Sequence, residues 1–259
     1  MPLGRWPRRT PGLRELSYRW RRMPAAPRVQ PSREACPDAT GPRWIPRAWH
    51  AWLDANPRIA PAVAGAWWVV LWAITWFGSA WLSSFWPQRL ELALPFERTV
   101  EAVGWMIPVY ASYDLVAALL PLFCRGWRDY AVLGGTILLQ TLVACTIYVL
   151  LPQRLAFAGT ETGAVWDWLS GMTNLPHPGL YSYAPSMHVA GAIAIGMFFA
   201  PRLGRTAMLA LWTWCIAVIA STWMVQEHHL ADIASGIVLA LLIRPRTVAS
   251  APARPTMSS

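Results

Sequence analysis

Past Pro61 the chain is a succession of apolar segments, each near the ~20 residues that a helix needs to cross a bilayer. No other feature of the sequence restricts its fold so strongly. The segments run over residues 62–85, 103–124, 130–151, 185–200, 207–225 and 229–243. The fourth and sixth are short and carry polar residues at one end, which is expected of helices shielded by their neighbours rather than facing lipid. The expected fold is all-α, an integral membrane bundle of about six transmembrane helices spanning residues 60–246.

Composition agrees, since 55% of the residues are hydrophobic, only 14% are charged and the mean hydropathy is +0.32, values outside the range of an ordinary soluble domain. The net charge of +9 raises the question of nucleic acid, and the placement of the charge answers it. Every basic residue is arginine, and twelve of the 22 precede Ala60. Short cytoplasmic loops carry an excess of Lys and Arg, and Arg125, Arg128, Arg202, Arg205, Arg244 and Arg246 fall on the same side as that arginine-rich tail, whereas the opposite loops hold only Arg89, Arg98 and Arg154. Six spans with both termini cytoplasmic satisfy this count, so topology accounts for the charge and no nucleic-acid partner is expected. Residues 1–59, rich in Arg, Pro and Trp, lack the apolar core of a signal peptide. They read as a retained, largely disordered cytoplasmic tail with a short helix around residues 13–23, able to lie on an anionic membrane surface. Residues 247–259 read as a second disordered tail.

With that orientation, two polar constellations far apart in sequence meet at the outer face of a cell membrane. In "APSMH" a proline suited to a first helical turn is followed by Ser186 and His188 at a helix N-terminus, where free N–H groups and the positive dipole end attract an anion. In "EHHLAD" His228 and Asp232 stand four apart, a spacing that shares one helix face and lets the carboxylate fix the imidazole tautomer. Arg154, at the outer end of the third span, adds a planar cation suited to phosphate oxygens. Two histidines, a carboxylate and an arginine beside an anion-binding helix end are what phosphoryl transfer through a covalent histidine intermediate requires. One imidazole attacks phosphorus, the other protonates the leaving oxygen, and the cation with backbone donors stabilises the charge. No metal site or other cofactor is expected, because the sequence has no Asp-rich or His-rich metal cradle and "HHLAD" lacks the glutamate placement of a zinc-protease helix.

The segments "PSMH" and "STWMVQEHHLADIASG" resemble the second and third motifs of the type 2 phosphatidic acid phosphatase superfamily, which end in Pro-Ser-x-His and contain Ser, a gap and His-x-x-x-Asp. The resemblance implies His228 as nucleophile, Asp232 as its partner, His188 as general acid, and Arg154, Ser186 and Ser221 as phosphate ligands. The chain contains no lysine, although the superfamily's first motif usually carries one before its arginine, and Thr222 follows Ser221 where an arginine is usual. Those losses are similar to the branch that includes inositol phosphorylceramide synthases, in which an alcohol can replace water as acceptor. Phosphatase and phosphotransferase are thus both implied. The substrate would be a phospholipid or polyprenyl phosphate drawn from the bilayer. Phosphatidic acid, a polyprenyl phosphate or diphosphate, a phosphatidylglycerol phosphate and a phosphoinositol lipid all present the same group.

Two rival classes use the same residues differently. A non-catalytic binding or transport protein would use the His/Asp cluster for a ligand or for protons, and a haem protein would use two histidines as axial ligands. The Ser and Pro ahead of His188 and the Asp after His228 favour phosphate chemistry over both. His229, turned about 100° from His228 on a helix, is expected at the rim of the site. Asp114, inside the second span with Tyr110 and Tyr113 nearby, reads as an interhelical hydrogen-bonding residue. Asp167, Trp166 and Trp168 are expected on an interfacial helix of the outer loop. Cys36, Cys124, Cys145 and Cys215 form no close pair, and no disulfide is expected.

Overall fold

The computed structural model describes residues 47–157, 164, 165, 168 and 183–246. The expectations for residues 13–23, Cys36, Trp166, Asp167 and the C-terminal tail lie outside these residues. The described residues all fall in the unit Gly41–Ser259. They form seven α-helices: α1 (Arg47–Ala55), α2 (Ala60–Ser84), α3 (Ile107–Phe123), α4 (Trp127–Leu150), α5 (Met187–Phe199), α6 (Arg205–Met224) and α7 (Leu230–Leu242). A two-residue strand β1 (Leu90–Glu91) pairs in parallel with β2 (Gln153–Arg154).

Among the described residues, four helical stretches are long and apolar enough to cross a membrane: Ala60–Ser84, Gly104–Phe123, Trp127–Leu150 and Arg205–Met224. The other two expected spans are shorter, since α5 and α7 have 13 residues each, about 20 Å at 1.5 Å per residue. Among the described residues the expected bundle is therefore seen as a helical fold with four helices of spanning length.

Helix α2 is sided by size rather than by polarity. The buried residues of α2 are Ala60, Gly65, Ser79, Ala80 and Ser83, while Trp67, Ile74, Phe77 and Trp81 point outward. Small residues at the contact let helix backbones approach, and large apolar ones outside suit lipid. The clearest close approach is at Gly191 of α5, where an added Cβ would lie 1.9 Å from the Tyr113 hydroxyl of α3. Helix α5 is buried along most of its length and packs against α4, α6 and α7.

One end of the bundle is stitched by backbone bonds between the connections. Leu90 N–H donates to Pro152, Val103 to Met224 and Ser186 to Asp232. These bring the segments after α2 and α4, the turn after α6, and the first turns of α5 and α7 together. At the opposite end Asp54 accepts from the Trp127 indole at 2.9 Å and from Arg128 at 2.7 Å. The Arg128 guanidinium beside it holds the Asp54 carboxyl below its ordinary range. This contact explains a departure from the expected tail: residues 47–55 are helical, because α1 buries Leu53 against Ala60, Trp127 and Ala131.

Candidate active site

The stitched end holds the expected site. Helix α5 starts there because Ser186 caps it, its hydroxyl accepting from Val189 N–H at 3.5 Å. The approach to that cap is fixed by two buried side chains: Tyr148 donates its hydroxyl to Pro185 O at 2.6 Å. Gln153 accepts from the N–H groups of Tyr183 and Ala184 and donates to Ala184 O at 3.0 Å. Gly236 of α7 abuts the cap so closely that a Cβ there would meet Ser186 O at 2.6 Å. The starts of α5 and α7 are thus locked together, with His188 on one and Asp232 on the other.

His188 lies between aromatic rings and a carboxylate. Tyr110 stacks on it with ring centroids 4.0 Å apart and Tyr113 is tilted at 4.8 Å. Its Nε2 is 3.4 Å from Asp114 Oδ2. Asp114, expected to bond between helices, does so with the proposed acid itself.

His228 faces His188 at 6.2 Å between ring centroids and is 5% exposed. It sits in the turn between α6 and α7, outside both helices, rather than on a shared helix face with Asp232. Asp232 reaches it by another route. The carboxylate caps α7, with Oδ2 accepting from His229 N–H at 2.9 Å, and the same oxygen lies 3.6 Å from His228 Nδ1. Both His228 Nδ1 and Asp232 Oδ1 are buried without a hydrogen-bond partner, an arrangement that is costly unless a function uses it. Burial pushes the His228 imidazole below its ordinary value of 6.5, with the Asp232 carboxylate opposing that shift. The turn also holds Gln226 at φ 60°, a left-handed conformation of the kind that gathers at functional sites.

The expected phosphate ligands are arranged less directly. Ser186 and Ser221 are fully buried, and the Ser221 hydroxyl donates to Val218 O within its own helix at 2.7 Å. Arg154 on β2 pairs with Glu91 on β1 at 2.9 Å, its side chain 61% exposed. Arg98 reaches the same carboxylate.

His229 is not a rim residue. It is 1% exposed, stacks on Phe157 at 4.2 Å and accepts from Ala156 N–H through Nε2 at 3.2 Å. Because Nε2 accepts, the proton of the neutral ring is on Nδ1, which faces Glu97 Oε2 at 3.6 Å. Glu97 was not expected at all. It is fully buried and accepts from Leu94 N–H at 2.7 Å, the Trp223 indole at 3.1 Å and Leu230 N–H at 2.8 Å. These contacts bind the 3₁₀ turn Pro95–Thr99 to the His228 turn. The only sequence signal for it is a glutamate two residues after Pro95, which reads equally well as a surface loop.

Compared with family models, curated proteins and solved structures, the chain matches none.

Proposed function

We propose that the protein is a membrane lipid phosphatase or phosphotransferase that works through a phosphohistidine on His228, in the manner of the type 2 phosphatidic acid phosphatases. The observation that carries this reading is the facing pair of imidazoles, each beside its own carboxylate, at the capped start of a helix. The 6.2 Å between ring centroids suits a single phosphorus centre flanked by both rings, with reacting atoms approaching to about 3–3.5 Å.

In the first step the lone pair of the neutral His228 ring forms a bond to phosphorus. The P–O bond to the leaving alcohol breaks, and that oxygen takes a proton from His188. Asp232 stabilises the positive charge that the His228 ring acquires, and the backbone donors at the start of α5 face the charge on the phosphoryl oxygens. In the second step water or an acceptor alcohol gives its proton to the now neutral His188 and attacks phosphorus. The P–N bond breaks, and its electrons return to His228. Arg154 joins the phosphate only by exchanging Glu91 for it.

Six membrane crossings complete the reading, with the short α5 and α7 shielded by the longer helices. Both termini lie in the cytoplasm and the histidines open to the outer face of the cell membrane, as the arginine distribution supports. The test is turnover of a panel of lipid phosphates and phosphodiesters by purified protein, with and without chelator. Release or transfer that His228→Ala abolishes is expected. Equal turnover by wild type and His228→Ala would overturn the reading.

A further inference from the structure

The site's charge is unusual for a phosphate-binding pocket. The two histidines have carboxylates for partners, Asp114 at 3.4 Å from His188 and Asp232 at 3.6 Å from His228. The arginines available at this end of the bundle are Arg89, Arg98 and Arg154. Arg98 and Arg154 converge on Glu91, and Arg89 has a partner of its own. The loop between Leu155 and Tyr183 contains no Lys or Arg. Within the two histidine–carboxylate pairs, with His188 protonated to act as acid and His228 neutral to act as nucleophile, one positive charge stands against two negative ones, and the nearest surplus cation is the second of the two arginines that share Glu91. A phosphate monoester would add about −1.5 to −2 charge at neutral pH. A phosphodiester adds a single negative charge, and a headgroup ammonium cancels it.

Asp114 points the same way for a separate reason. Its side chain is 62% exposed, yet it sits seven residues into α3, about 10 Å along the helix from Ile107. His188 touches only one of its oxygens, and a carboxylate still this open at that depth, in a helix of spanning length, is expensive unless a further polar or cationic group covers it. The buried Asp232 Oδ1 and His228 Nδ1, both without partners, show that the same pocket also keeps polar capacity in reserve.

We propose that the site takes a phosphodiester lipid bearing an ammonium headgroup, with the cation held by Asp114 and the phosphate between His188 and His228. The assignment rests on the phosphoryl-transfer reading for the role of the phosphate, and on Asp114 for the headgroup. Ethanolamine and choline lipids share the required chemistry.

The experiment uses the full-length protein in nonionic detergent micelles doped with phosphatidylethanolamine, phosphatidylcholine, phosphatidylglycerol or phosphatidic acid. Equilibrium binding is measured for wild type, Asp114→Asn and His228→Ala, and release of water-soluble headgroup for wild type and Asp114→Asn. The ammonium lipids are expected to bind wild type about tenfold more tightly than phosphatidic acid, the ratio that one retained ion pair supplies. Asp114→Asn should erase that preference by weakening the ammonium lipids and, with one negative charge removed, strengthening phosphatidylglycerol and phosphatidic acid. His228→Ala should keep the preference and lose turnover. Tightest binding of phosphatidic acid, or an equal loss for all four lipids in Asp114→Asn, would overturn the headgroup assignment. Preferential binding of ammonium lipids without turnover of any lipid would leave that assignment standing and overturn the reaction instead.

Discussion

Replacing Glu97 by alanine removes one fully buried carboxylate and strands three part-buried donors: Leu94 N–H, the Trp223 indole N–H and Leu230 N–H. A fully buried orphaned donor costs about 1–3 kcal/mol, so for these three the loss is at most about 3–9 kcal/mol against a total stability of about 5–15 kcal/mol. Glu97→Gln is milder, because its carbonyl can take the place of Oε1, which accepts from both Trp223 and Leu230. At the Oε2 position Leu94 N–H, and the His229 Nδ1–H that faces it at 3.6 Å, then meet a donor instead of an acceptor, a cost of about 1–3 kcal/mol. In a domain of this size 1 kcal/mol moves Tm by roughly 2–4 °C. Thermal unfolding followed by the fluorescence of the 18 tryptophans should therefore place Glu97→Gln several degrees below wild type. Glu97→Ala should fall at least twice as far, or fail to purify folded. An alanine variant within about 2 °C of wild type would refute the account of Glu97 as the clamp of the His228 turn.

Four further outcomes follow from the same geometry. Gly191→Ala drives a methyl into Tyr113, should cost about 1–3 kcal/mol as overpacking, and should lower turnover by displacing the ring that flanks His188; unchanged turnover would contradict that coupling. His228→Ala should abolish turnover with little change in Tm, whereas His229→Ala should lower Tm and leave activity per folded molecule measurable; equal activity losses would contradict the assignment of the nucleophile. Because burial lowers the His228 pKa, the acid limb of the kcat/KM profile should lie below the ordinary 6.5, and Asp232→Asn, which removes the opposing carboxylate, should move it lower still while reducing kcat. The same shift means that the unfolded chain binds this proton more readily, so the stability tied to a neutral His228 falls as pH drops from about 6.5 toward the lowered native value. A reporter fused after Arg246 should register cytoplasmic, and an outside signal would invert the topology.

The parts of the fold that depend on local composition were legible in the sequence. Apolar runs of spanning length need no partner to be recognised, and "APSMH" announced a helix start that Ser186 indeed caps. The approach of His188 to His228 followed from counting helices, since α5 and α6 together return the chain to the end from which α5 starts. What escaped was everything decided by tertiary contacts. His229 and His228 are neighbours in the chain, yet only a buried glutamate 132 positions before His229 determines that one is packed away and the other faces His188. The pairing of Arg154 with Glu91 was not legible, because nothing in "LLPQRL" shows that β1 would bring Glu91 beside it. The i, i+4 spacing suggested a shared helix face for His228 and Asp232, whereas α7 begins at Leu230 and the pair meets across its cap. Asp114 was visible as an intramembrane charge, but its partner could not be named until α3 and α5 were packed.

The most direct test of the central claim is to quench the wild-type protein during turnover of a lipid phosphodiester under basic conditions and map any phosphorus adduct by mass spectrometry. An acid-labile, base-stable adduct on His228, absent from His228→Ala and formed more slowly when His188 is replaced by alanine, is the predicted result. Turnover with no adduct on His228, or an adduct that survives His228→Ala, would contradict the account.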